Sequence, residues 1–91
     1  MNAAQARKVT EQNLEKLAET QLNDAIAELS RLIKDAAEKG HSNVRIYVDQ
    51  FSALRKLGYD KQVVGHFKNL GFGVETANWG ATEKVIRVYW D

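Results

Sequence analysis

Cysteine is missing from this sequence, which excludes disulfide staples and leaves histidine and carboxylates as the only candidates for metal ligation. Histidine is nearly missing too. His41 and His66 are the only two, neither stands at ligand spacing from a partner, and no metal or other cofactor is expected. No nucleophile motif and no glycine-rich phosphate loop occurs, so the chain reads as a protein that is not an enzyme. No apolar run approaches the length of a membrane span, and the opening MNAAQARKVTEQNLEKL has no apolar core of the length a secretory signal needs. The expected setting is therefore cytoplasmic, with no membrane partner. Nor does one sign of charge dominate: 13 basic residues against 12 acidic ones leave a formal +1. A protein that held nucleic acid mainly by neutralising phosphates would carry more positive charge, which weakens that role.

What is present is an ordinary globular composition, 44% hydrophobic and 27% charged, in a length of 91 residues that supports one modest core. A single domain over residues 1–91 is expected. Proline is absent from the chain and glycine from residues 4–39, where alanine, leucine, glutamate, lysine and glutamine prevail; that composition favours helix. Leu22, Ile26, Leu29, Ile33 and Ala36 recur at steps of four and three and share one stripe, which Leu14 and Ala18 extend backward. Lys39 and Gly40 supply a stop. A continuous helix of about 36 residues is about 54 Å long at 1.5 Å per residue, whereas a compact chain of this size is roughly 30 Å across. Its N-terminal part then projects from the body formed by residues 40–91. Val9, Leu14, Leu17 and Leu22 are expected to bury that projection against another copy, giving a homo-oligomer. The alternative is a helix that breaks near residues 20–23 and folds back, or whose first turns fray.

From residue 43 to 48 the pattern changes to alternation. Val44, Ile46 and Val48 face one way and Arg45 and Tyr47 the other, as in a half-buried strand. Asp49 is placed to cap a short helix over 50–57 and Asp60 to cap another over 61–70, with Gly58 between them and Gly71 after. Strands are expected over 72–77 and 84–90, joined as a hairpin by a turn at 78–82. The fold class is then α+β, a long N-terminal helix followed by strand, helix, helix, strand and strand. A right-handed crossover from the first strand to the second leaves the last strand between them, in a three-stranded mixed sheet. The expected core comprises Leu22, Ile26, Leu29, Ile33, Val44, Ile46, Val48, Leu54, Leu57, Val64, Phe67, Leu70, Val74, Ile86 and Val88.

Two stretches echo each other. Val44-Arg45-Ile46-Tyr47-Val48-Asp49 and Ile86-Arg87-Val88-Tyr89-Trp90-Asp91 both read apolar, Arg, apolar, Tyr, apolar, Asp. The strand period sets Arg45, Tyr47, Arg87 and Tyr89 on the sheet face opposite Ile46 and Ile86. On neighbouring strands these four make a cationic, aromatic surface suited to a protein interface or a small anionic ligand, with Trp79 in the adjoining turn as a further contact. They are equally ordinary residues for a solvated strand face.

A third pattern is the spacing of a helix-turn-helix. Ala53-Leu54, then Gly58-Tyr59-Asp60, Val64 and Phe67 put apolar and turn residues where that motif needs them. With the surrounding order of elements this resembles a winged-helix DNA-binding domain, residues 61–70 being the recognition helix and 78–82 the wing tip. The resemblance implies that Lys61, Gln62, His66 and Asn69 face the major groove while Lys68 and Lys84 touch phosphates. Gly65 in mid-helix and Glu83 in the wing speak against it, since glycine weakens a helix interior by about 1 kcal/mol relative to alanine.

A further likeness spans most of the chain. The opening Ala6-Arg7-Lys8-Val9-Thr10, the helix end Ile33-Lys34-Asp35-Ala36-Ala37-Glu38-Lys39-Gly40, the closing Leu70-Gly71-Phe72 and the final Val88-Tyr89-Trp90 resemble small uncharacterised proteins of tailed bacteriophages. Between residues 49 and 71 the chain departs from their pattern, with a second helix around Gly58-Tyr59-Asp60. This resemblance implies a non-enzymatic accessory or virion-associated protein, acting in the cytoplasm of an infected bacterium or in the virion. Such a protein would self-associate and bind a host protein, another virion component or a small anionic ligand. A winged-helix transcriptional regulator, dimerised by the same long helix, is the alternative.

Overall fold

A computed structural model describes residues 1–79 and 83–91, and for Trp79 the backbone alone. Helix begins at the third residue because the sequence caps it there. Asn2 Oδ1 accepts the Gln5 N–H and Gln5 Oε1 accepts the Asn2 N–H, both at 2.9 Å, a reciprocal capping box. Helix α1 then runs unbroken over Ala3–Glu38. With neither glycine nor proline inside it there is no kink at residues 20–23, and the molecule is elongated, 55 × 26 × 20 Å.

Five further elements and a 3₁₀ turn follow: β1 (Asn43–Tyr47), the turn Val48–Gln50, α2 (Ser52–Lys56), α3 (Asp60–Asn69), β2 (Gly73–Trp79) and β3 (Glu83–Tyr89). Each α-helix ends alike. The N–H groups of His41, Tyr59 and Phe72 reach back to Ala36, Leu54 and Phe67, with a positive-φ glycine just before each donor.

The sheet order is β1-β3-β2, so the last strand lies in the middle, as the crossover requires. It runs antiparallel to both neighbours. The expected mixed sheet is therefore wholly antiparallel: β1 and β2 point the same way but never touch, and no parallel pair forms. Asn78 and Trp79, expected in the turn, instead extend β2 opposite Lys84 and Glu83. The rest of that expected turn, residues 80–82, lies outside the described residues.

All three helices gather on one sheet face. Ala25 and Leu29 of α1, Leu54 of α2, and Val63 and Phe67 of α3 bury against Ile46, Val48, Ile86 and Val88. Each leucine- or phenylalanine-sized side chain so buried contributes about 1.5–3 kcal/mol. Two expected core residues are outside: Leu57 is 36% and Leu70 62% exposed. Both are C-cap residues, where the chain is already turning away into the glycine that follows. In α3 the buried pair is Val63 and Phe67, one turn apart, and Val64 is only partly covered.

Neither aspartate caps a helix as its position suggested. Asp49 lies inside the 3₁₀ turn, where Oδ2 accepts the Lys84 N–H at 3.1 Å and the carboxylate pairs with Arg55. The β1–β3 ladder is thus continued by a side chain beyond Tyr47. Asp60 is the first residue of α3, 4% exposed, and pairs with the Lys84 ammonium. Helix α2 is tied to α1 instead, through the Leu54 N–H donated to Gln21 Oε1 at 3.0 Å.

Candidate functional site

The link from α2 to α3 is three residues, Leu57-Gly58-Tyr59. Gly58 holds φ at +74°, a left-handed conformation in which a side chain is strained. This turn aims α3 so that Val63 and Phe67 enter the core and the opposite surface faces out. Lys61, Gln62, His66, Lys68 and Asn69 are all exposed there. At 3.6 residues per turn they share one side of the helix with Gly65 at its centre, where a Cβ would meet nothing within 4 Å. No acidic residue lies among them. Asp60, the acid of α3, is turned inward onto Lys84. That pairing corrects the role expected of Lys84: its ammonium serves an internal carboxylate rather than a phosphate. His66 sets its ring edge-on to Phe67 at 5.0 Å.

The opposite sheet face holds the other predicted group. Register places Arg45 directly across from Arg87, and Glu75 across from Arg87 on the other side. Arg87 donates to Glu75 at 3.4 Å and lies 4.8 Å from the centre of the Tyr89 ring. That ring in turn covers Gly73, leaving no room for a Cβ there. Val85, between Tyr47 and Ala77 in the register, is buried on this face as well. The antiparallel register brings the two arginines of the echoing stretches together but separates their tyrosines. Tyr47 pairs with Val85 at one end and Tyr89 with Asn43 at the other. Tyr47 is 42% exposed. The Trp79 backbone ends β2 opposite Glu83, and its side chain lies outside the described residues. Glu75, Gly73 and Val85 were not singled out in the sequence. Alternation alone could have put them on this face, but only the register shows which arginine and which tyrosine they meet.

Of the residues expected to join copies, Val9 and Leu17 are 44% and 48% exposed. Leu14 is half-buried, and so is Leu22, which packs in part against the core of its own body. Among the described residues no group of three or more histidines, aspartates or glutamates could hold a metal ion, and no helix is long and apolar enough to cross a membrane. Compared with known proteins, the chain matches no family model, no curated protein and no solved structure.

Proposed function

We propose that this protein binds duplex DNA as a non-enzymatic, winged-helix type of regulator, with α3 as the element that enters the major groove. One observation carries the reading: the outer face of α3, free of acidic residues, on a helix that follows a three-residue glycine turn and precedes an antiparallel hairpin. Lys61 and Gln62 stand at the N-terminal end of α3, the end a recognition helix presents to base edges. The amides of Gln62 and Asn69 have the donor and acceptor pair that reads adenine, and Lys61 suits guanine. Lys68 and the exposed Lys56 at the end of α2 are placed for phosphates. With a net charge of +1 these contacts are few, so one copy alone holds a duplex weakly. The test is a salt titration of binding to random duplex, repeated with Lys61→Glu plus Lys68→Glu. Steep salt dependence lost in the double variant supports the reading; duplex binding retained by a folded double variant sinks it.

A second reading rests on the open sheet face. Arg45 and Arg87 lie directly opposite on adjacent strands, Arg87 paired with Glu75 and set over the Tyr89 ring, and guanidinium and aromatic groups so grouped suit an acidic or anionic partner. Under this reading, and with the setting the phage likeness implies, the partner is a host or virion protein or a small anion. Arg45→Glu and Arg87→Glu should each weaken its capture. Unchanged capture by both soluble variants rules the face out.

A further inference from the structure

Building on the duplex reading, we infer that Gln21 of α1 is a positioning residue for α2 and α3. It caps α2 from a neighbouring helix, and so fixes where Lys56 and the start of α3 meet DNA.

Helix α2 is five residues long, Ser52–Lys56, far shorter than a helix that holds itself in water. Its N-cap residue is Phe51, whose side chain has no hydrogen-bonding group, and no side-chain cap bond forms there. Counted from that cap, Leu54 is the third helical residue. Its N–H is one of those that a serine or aspartate at the N-cap would ordinarily take. Gln21 Oε1 takes it instead, at 3.0 Å, from 33 residues away in the sequence. The bond is partly buried, so removing the amide leaves that N–H with little water to turn to.

The carbonyl of the same residue serves the next helix. Leu54 C=O accepts the Tyr59 N–H at 2.9 Å, and Tyr59 is the N-cap of α3, again without a side-chain cap bond. Leu54 thus joins α1 to the start of α3 through a single residue. Packing does not replace the link. Ala53 and Leu54 are each 1% exposed, but apolar contact is non-directional and lets a short helix slide or turn over the core. The pairing of Asp49 with Arg55 steadies α2 from its other neighbour, the 3₁₀ turn. Gln21 sits where α1 reaches the body: residues 3–13 are exposed, Ala18 is buried, and Gln21 and Leu22 are half-buried. The α2–α3 pair is therefore referenced to the unbroken α1 rather than to a loop. Without that reference α2 frays, and Lys56, its last residue, leaves the phosphate it would hold.

Gln21→Met tests this, because it keeps an unbranched side chain of similar helix propensity and removes the acceptor; Gln21→Glu restores one. In Gln21→Met the Leu54 amide should exchange with solvent about tenfold faster or more, while Val88, buried in the central strand, keeps its protection. Binding to random duplex should weaken several-fold, and the slope of log affinity against log salt should lose about one unit, the contact of Lys56. Gln21→Glu should recover both the protection and the slope. Adding Lys56→Gln to Gln21→Met should take nothing further off the slope, since the same contact is already gone. A Leu54 amide that stays protected in Gln21→Met would overturn the inference, and so would affinity and slope that do not change when that amide becomes fast. Weaker binding that Gln21→Glu does not restore, or a further unit of slope lost with Lys56→Gln, would overturn it too. An unmodified chain that binds no duplex defeats the duplex reading itself, and the role of Gln21 with it.

Discussion

Lys84 is engaged twice, its backbone N–H by Asp49 and its ammonium by Asp60. Because Asp60 is 4% exposed, its negative charge depends on that ammonium for compensation. Removing one partner of a buried pair costs about 3–5 kcal/mol. The Lys84 side chain keeps 28% of its surface in water, which screens the pair, so Lys84→Met should lose about 2 kcal/mol in urea unfolding. Lys84→Met combined with Asp60→Asn should lose less than the two singles together. Strict additivity would show that the groups do not interact. On the same sheet, Gly73 is overlaid by the Tyr89 ring, an aromatic covering a strand glycine. Gly73→Ala must expel the ring and break its stack on Arg87, at about 1 kcal/mol. In a Tyr89→Ala background the same change should be neutral or stabilising, since alanine has less chain entropy to lose than glycine. An equal loss in both backgrounds would mean that the ring is not what excludes the methyl group.

The two glycines around the start of α3 have opposite roles, and substitution separates them. Gly58 sits at φ +74° with open space around it, so Gly58→Ala should cost about 1–2 kcal/mol through backbone strain alone. Gly65 has open space and ordinary helical φ; Gly65→Ala should raise thermal stability by up to about 1 kcal/mol. If α3 enters a groove, that stabilised protein should nevertheless bind duplex less well, because the methyl group stands at the centre of the reading face. Unchanged affinity would point to another surface. Helix α1, the alternating strands and the central place of β3 were legible because local period, capping and crossover handedness write them. The outer face of α3 was legible for the same reason. The aspartates were not: their partner Lys84 is 35 residues from Asp49 and 24 from Asp60, and no local signal announces it. Strand direction hid the separation of Tyr47 from Tyr89. Leu57 and Leu70 were misplaced because a periodic stripe does not show where a helix will cap and turn outward.

At the scale of the molecule, 55 Å in its longest dimension, a body that presents one α3 face sits on the long helix α1, and whether α1 joins two copies decides how strongly charge can act. If α3 enters the groove, Lys56 and Lys68 give each copy about two phosphate contacts, so log affinity should fall with log salt at a slope of about −2. Two copies joined through α1 would carry two such surfaces on one particle. If both copies engage one duplex, the slope roughly doubles, to about −4, and affinity gains from the second, now intramolecular, contact. Leu17 is on α1 rather than α3 and is exposed, so Leu17→Glu should halve the slope and weaken binding without altering the outer face of α3. Measuring the slope for both proteins at one concentration above dimer formation separates the two roles of the chain. A halved slope means α1 exists to hold two α3 helices on DNA. An unchanged slope with monomer mass would mean that the pairing of α1 serves something other than DNA.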